Sequence, residues 1–359
     1  MRTELVKLDG TADSTKIAHA AEILRSGGLV AFPTETVYGL GADARDPEAL
    51  ARLARVKGKL DGKNYPLLVG SMRQAEELGG GLSRIAKKLA RIYWPGPLTI
   101  VVPRAGGGKV GLRLPEHPVA RSLLSQCGFP LSAPNATLRV SKGPAGIHTV
   151  CDGLSAAHVR MAFDGQIALI LDGNPKPQGR LSTVVEVTDD NVAVQREGAV
   201  SEVDVLQAAA PTILFVCTGN TCRSPMAAGL CRAALRQYFR LDAAPIRVLS
   251  AGTAAVAGQQ AHPYATGVMR EIGIDISDHR TTQLTPDMVD GADWIFTMTQ
   301  RHRDSIIDFM PFSSDRVQLI SKDNDDISEP GGRSIERYRQ CRDKLATCLR
   351  HVLATVDAS

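Results

Sequence analysis

The chain has 359 residues, 43% of them hydrophobic and 22% charged, which excludes a disordered or fibrous protein and exceeds what one ordinary core encloses, so two domains are expected. Its 42 basic and 38 acidic residues leave a net charge of +4, enough to admit anionic ligands or RNA and too little to require either. No apolar run reaches the ~18 residues of a membrane helix, the N-terminus lacks a secretion signal, and the seven cysteines are scattered without a disulfide framework, so a cytoplasmic protein with reduced thiols is expected.

In chain order, a helix is predicted from Asp13 to Ser26, with Ile17, Ala20, Ala21 and Leu24 on one face and Gly27-Gly28 ending it. An apolar strand follows at Leu29 to Phe32, with later strands at Leu98 to Val102, Ala168 to Leu171 and Ser182 to Val187. The segment Ser201 to Pro211 shows no strong period and ends in a proline; it is read as the boundary between domains at 1–205 and 211–359. A new strand, Ile213 to Val216, opens an alternation of helix and strand that favours a parallel sheet covered on both faces. The last helix carries Ile335, Tyr338, Cys341, Leu345, Cys348, Leu349 and Val352 on one stripe, read as core.

The chemistry-bearing stretch is Cys217-Thr218-Gly219-Asn220-Thr221-Cys222-Arg223-Ser224-Pro225. It reads as a buried strand, a tight loop and a helix start, with Ser224 as N-cap and Pro225 at the first helical position. Five residues between Cys217 and Arg223 make a loop whose backbone N–H groups can surround one tetrahedral oxyanion above a helix N-terminus. The planar fork of Arg223 suits two phosphate oxygens, and the same positive field favours a nucleophilic thiolate at Cys217. A buried cysteine before an ordinary turn is the bland alternative, and the strand before it and the Ser-Pro pair after it argue against that.

With Ser250-Ala-Gly-Thr253, Gly273 to His279 and Ala292 to Met298, this stretch resembles the low-molecular-weight phosphatase family over everything after Pro211. The resemblance implies a Rossmann-like parallel-sheet domain and a phosphorylated protein as substrate. It implies that Asn220, Ser224, Ser250 and His279 form the hydrogen-bond network holding the loop, with Ser224 donating to the thiolate. The family's general acid is an Asp before Pro; here Glu329-Pro330 stands in its place, with Asp326 as the other candidate. Gly331 and Gly332 follow, so no aromatic wall is expected there. The polar Thr221 resembles the protein-arginine phosphatase branch, which places phosphoarginine ahead of phosphotyrosine. Cys222 is read either as a reversible disulfide partner of Cys217 or as a spectator thiol.

Earlier in the chain, Phe32-Pro-Thr34-Glu-Thr36-Val-Tyr-Gly, Trp94 to Thr99, Gly111 to Pro115, Asp172-Gly173, Ser182 to Val185 and Arg196-Glu-Gly198 occur in that order. Singly each is turn and strand chemistry; together they resemble the YrdC-like threonylcarbamoyl-adenylate synthases. The resemblance implies a twisted α/β sheet around a concave basic cavity. It also implies a reaction of ATP, L-threonine and bicarbonate on the route to tRNA threonylcarbamoyladenosine, with tRNA or a tRNA-modification protein as partner. Such a site needs cations for a triphosphate and small polar donors for the amino acid, and Thr34, Thr36, Lys57, Arg113, Ser182 and Arg196 are assigned to it. Two signature positions depart from the family: Lys59 replaces an arginine, and Asn135 and Thr137 follow Ala133-Pro134 where Ser-x-Asn is usual. Either the domain is an active synthase, making the chain bifunctional, or it is a silent nucleotide- or RNA-binding module on a tyrosine phosphatase. Neither site is expected to hold a tight cofactor or metal, ATP arriving with Mg²⁺ as substrate.

Overall fold

The computed structural model describes residues 2–8, 13–58, 65–141, 147–188, 191–238, 246–332 and 334–357. Lys59 and the unusual stretch after it, to residue 64, lie outside the described residues. The chain divides into two compact units, Met1–Ala209 and Ala210–Ser359, each with its own core.

In the first unit Asp13 accepts a hydrogen bond from the Lys16 N–H and caps the helix Ser14–Arg25, whose Ile17, Ala20, Ala21 and Leu24 are buried. Gly27 ends it in the left-handed region at φ 80°, and the Gly28 N–H returns to the Ile23 carbonyl at 2.8 Å. The chain then enters a mixed ten-stranded sheet. Its order is Glu4–Lys7, Leu169–Asp172, Val30–Phe32, Gly39–Asp43, Leu131–Ser132, Leu67–Leu68, Lys109–Arg113, Leu98–Pro103, Thr183–Val187 and Val192–Arg196. A two-stranded ladder, Leu138–Ser141 with Ile147–Cys151, lies outside that sheet.

The segment read as an aperiodic boundary is instead a helix, Glu202–Ala209. Ser201 caps it, accepting the Asp204 N–H at 3.1 Å while its hydroxyl donates to the Asp204 carboxylate at 2.6 Å. Only Val205 and Ala209 are buried, while Val203 and Leu206 face solvent, which is why no apolar period stands out.

The second unit is a four-stranded parallel sheet in the order Arg247–Gly252, Thr212–Cys217, Trp294–Thr297, Val317–Leu319. Side chains alternate across it. Ile213, Phe215 and Cys217 belong to the core shared with the helices Arg223–Tyr238, Pro263–Arg270 and Ile335–Asp357, while Leu214 and Val216 pack with Val289, Ile306 and Val317 on the other face. Thr212–Cys217 is first in sequence yet lies inside the sheet, so Cys217 ends its strand at the point where strand order reverses, the usual ligand position of such sheets.

Candidate active sites

A cavity of about 770 Å³ opens in the first unit and is lined by Lys57, Arg113, Asn135, Thr137, Ser182 and Arg196 together. Arg113 stands at the end of Lys109–Arg113 and is 5% exposed. Its Nη2 pairs with Glu35 at 2.6 Å and donates to Thr36 at 3.0 Å, and its Nε donates to the Gly96 carbonyl at 3.1 Å. Thr36 and Thr34 do not line the cavity. Their hydroxyls lie 2.9 Å apart behind Arg113, and Thr34 passes its proton to the Val37 carbonyl at 2.6 Å, so both support the guanidinium.

Ser182 accepts from Thr99 at 3.1 Å and from Arg196 at 3.2 Å, while Arg196 also holds the Ser182 carbonyl at 2.8 Å. Burial, and after it the charge of Arg113, pull the Arg196 guanidinium below its ordinary value. Lys57 donates to the carbonyls of Asn135 at 2.8 Å and Thr137 at 2.5 Å, tying that loop to the end of the helix Pro47–Val56. Sequence reasoning missed Tyr65, Lys109 and Gln195, which also line the cavity, and Glu35, which lies inside a quoted motif without being singled out. Nothing local marks Lys109 or Gln195; their place depends on strand pairing.

In the second unit the loop from Cys217 to Arg223 is organised by Asn220, which is fully buried at φ 56°. Its N–H reaches the Cys217 sulfur at 3.2 Å, and its amide donates to Ser224 at 2.8 Å and Ser250 at 3.0 Å. Its Oδ1 accepts the Thr282 N–H at 2.8 Å, and its carbonyl accepts from His279 Nε2, also at 2.8 Å. Burial, more than any neighbouring charge, lowers the His279 imidazole. Ser224 stands 3.0 Å from the Cys217 sulfur and accepts from Asn220, and its one proton has two acceptors within reach, the sulfur and, at 3.4 Å, the Ala251 carbonyl.

The expectation of Ser224 as N-cap is corrected. The helix begins at Arg223, so Ser224 and Pro225 lie in its first turn, where Pro225 still forfeits no helical hydrogen bond. The hydroxyl goes to the sulfur instead of to a helix N–H.

Arg223 is buried, ion-paired with Glu329, and donates to the Ile327 carbonyl at 3.0 Å and to Thr218 at 3.3 Å. Asp326 faces another way: its carboxylate accepts the Gln300 N–H at 2.8 Å. Gly219 and Thr221 are half-buried, and the Thr221 carbonyl accepts the His262 N–H at 2.9 Å. The Cys222 thiol lies 3.3 Å from the Tyr338 hydroxyl, and burial pushes it up. Gly252 lets the second strand approach the loop: a Cβ there would stand 2.4 Å from the Thr218 carbonyl oxygen.

An aromatic group that the sequence did not reveal flanks this loop. His262 stacks on Tyr338 at 5.0 Å between ring centroids, and Tyr264 meets Tyr338 edge-on at 5.6 Å. His302, also missed, contacts Thr218 at 2.9 Å.

A strand–loop–helix with a cysteine under a buried guanidinium, and a basic cavity on a mixed sheet, define two α/β units of enzyme type. The family model described as telomere recombination, of the Sua5, YciO and YrdC proteins, matches residues 22–198, and that described as low molecular weight phosphotyrosine protein phosphatase matches 212–359. A threonylcarbamoyl-AMP synthase of Bacillus subtilis is 35% identical over 202 residues, 54% of this chain and 56% of the relative. A protein-arginine-phosphatase of Geobacillus stearothermophilus is 41% identical over 141 residues, 38% of this chain and 90% of the relative. A solved structure of a doubly substituted Sua5 from P. abyssi is 26% identical, with 76% of this chain and 90% of that one covered and a TM-score of 0.51. The chain thus belongs to both families, a Sua5/YciO/YrdC unit followed by a low-molecular-weight phosphatase unit. It spans little more than half the length of the B. subtilis synthase. Among the described residues no helix is long and apolar enough to cross a membrane.

Proposed function

We propose that the chain carries two catalysts, a phosphatase and a threonylcarbamoyl-adenylate synthase. For the phosphatase the supporting observation is the Cys217 sulfur, which meets the Asn220 N–H and the Ser224 hydroxyl beside the buried Arg223 fork. The thiolate attacks phosphorus in line, the bond from phosphorus to the substrate atom breaks, and Glu329 protonates the departing atom. The carboxylate left behind then takes a proton from water, whose oxygen attacks the cysteinyl phosphate and frees the thiolate and phosphate. Glu329 is preferred to Asp326 because its carboxylate lies on Arg223 while that of Asp326 is held by Gln300. A phosphoryl group and Glu329 compete for one guanidinium, so substrate frees the carboxylate as it binds, and it serves as the acid once it has taken a proton from solvent. Glu329→Gln is expected to lower kcat about a hundredfold with no rise in KM; an unaltered rate would hand the role to Asp326.

The substrate is a phosphorylated protein, with phosphoarginine favoured over phosphotyrosine. Support comes from the hydroxyl of Thr221 on the loop and from the similarity to a protein-arginine-phosphatase. Parallel hydrolysis of the two phosphoamino acids in peptides tests this. Thr221→Ile is expected to lower the preference for phosphoarginine about tenfold, and a preference that survives unchanged would remove Thr221 from the account.

In the first unit ATP, L-threonine and bicarbonate would give the threonylcarbamoyl adenylate and pyrophosphate, with tRNA or a tRNA-modification protein as the downstream partner. The supporting observation is the convergence of Lys57, Lys109, Arg113 and Arg196 with Ser182 on one cavity. These cations suit a triphosphate that enters as its Mg²⁺ salt, and the Ser182 hydroxyl suits the amino acid. Incubation of the full chain with the three substrates is expected to release pyrophosphate only when threonine is present. ATP binding without product would leave a nucleotide-binding module in place of the synthase.

A further inference from the structure

The second unit buries an imidazole that the phosphatase chemistry leaves unused. His302 lies in the first turn of the helix Gln300–Phe309, is 6% exposed, and has both ring nitrogens engaged. Nδ1 is 2.8 Å from Thr299 Oγ1, and Nε2 is 2.9 Å from Thr218 Oγ1. Thr218 Oγ1 also accepts from Arg223 Nη2 at 3.3 Å.

A guanidinium can only donate, and a hydroxyl has one proton. Thr218 can accept from Arg223 on one lone pair and give its single proton to Nε2, an arrangement with Nε2 as the bare nitrogen. In that arrangement the imidazole proton sits on Nδ1 and is donated to Thr299. Thr299 is itself anchored as the helix N-cap, accepting the His302 N–H at 3.3 Å. Burial first, then the Arg223 charge, push the imidazolium down to about 4, so the ring is neutral near pH 7 and keeps its acceptor.

Arg223 has few other anchors among the described residues. Its Nε is buried with no partner among the described residues, which leaves Ile327, Glu329 and Thr218 to orient the fork. Once a phosphoryl group displaces Glu329, the Ile327 carbonyl and Thr218 are its remaining partners among the described residues. We propose that His302 is a positioning residue for Arg223, taking the Thr218 proton so that the hydroxyl lone pair stays on the guanidinium and sets its approach to phosphate. The assignment rests on the phosphatase reading above.

The test uses the full chain, inorganic phosphate binding by calorimetry, and hydrolysis of an aryl phosphate. His302→Phe is expected to weaken phosphate about tenfold, the value of one charge-assisted hydrogen bond, and to lower kcat/KM at least as much. His302→Gln, whose Oε1 can accept the same proton, should recover binding to within about threefold. Thr218→Val, at an exposed position, should reproduce the tenfold loss, and the double variant should lose no more than either single one.

Unmoved phosphate affinity in Thr218→Val, or additive losses in the double variant, would overturn the proposal. A drop in melting temperature for Gln and Phe alike, with affinity unchanged, would mean that His302 only packs. If the wild-type chain binds phosphate but hydrolyses nothing, the phosphatase reading fails while the binding series still decides the role of His302. If it binds no phosphate, both fall.

Discussion

Cys217→Ser is expected to lower phosphatase turnover by more than about a thousandfold while inorganic phosphate continues to bind. The exchange is nearly isosteric at a site 2% exposed, and the new hydroxyl finds the Ser224 Oγ and the Asn220 N–H that now meet the sulfur, so folding and the loop should survive. What is lost is the sulfur nucleophile, because a serine hydroxyl is a far weaker one. Hydrolysis and phosphate binding measured on the same preparation separate the two effects. Retained turnover at a tenth of wild type would remove Cys217 as the nucleophile. Loss of phosphate binding together with turnover would mean that the sulfur was organising the loop instead of attacking through it.

Arg113→Leu is expected to destabilise the first unit by about 3–5 kcal/mol, the usual cost of orphaning one member of a buried ion pair. Glu35 and Arg113 have side chains 10% and 6% exposed, 2.6 Å apart. Without the guanidinium, the Glu35 carboxylate keeps only the N–H groups of Glu116 at 3.2 Å and His117 at 3.3 Å. It must then take up a proton or remain a poorly compensated buried charge. Glu35→Leu in the same chain should recover more than half of the loss, since two apolar side chains leave no orphan. The chain has two tryptophans, Trp94 in the first unit and Trp294 in the second, so urea titration in a Trp294→Phe background follows the first unit's fluorescence. A loss below about 1 kcal/mol would place this pair with ordinary surface salt bridges.

What could be read in advance was local. The stripe of the last helix was legible because Tyr338, Cys341, Leu345, Cys348, Leu349 and Val352 all enter one core at helical spacing. The loop after Cys217 was legible because strand, turn and helix start are consecutive in sequence. The N-cap role read for Ser224 failed because the helix begins one residue earlier, at Arg223, which leaves the hydroxyl facing the sulfur 3.0 Å away. Residues assembled from distant segments were hidden. The Thr299 cap is readable from Thr299 and His302 alone, but its Thr218 partner lies 84 positions from His302. Lys109 and Gln195 reach the cavity only once their strands have paired. Thr34 and Thr36 show the opposite limit. Their motif pointed to the right neighbourhood, but their hydroxyls are spent holding Arg113 from behind.

The core that receives Cys217 is closed by the helix Ile335–Asp357, whose Tyr338 and Val352 are wholly buried in it. On a ribosome, where the chain emerges from its N-terminal end, the first unit can complete its sheet long before that helix exists. The strand ending in Cys217 has that face covered only by the helices Arg223–Tyr238 and Pro263–Arg270 until about 140 further residues have been made. A synthesis interrupted after the first unit would therefore release that unit's core without the helix that closes the core around Cys217.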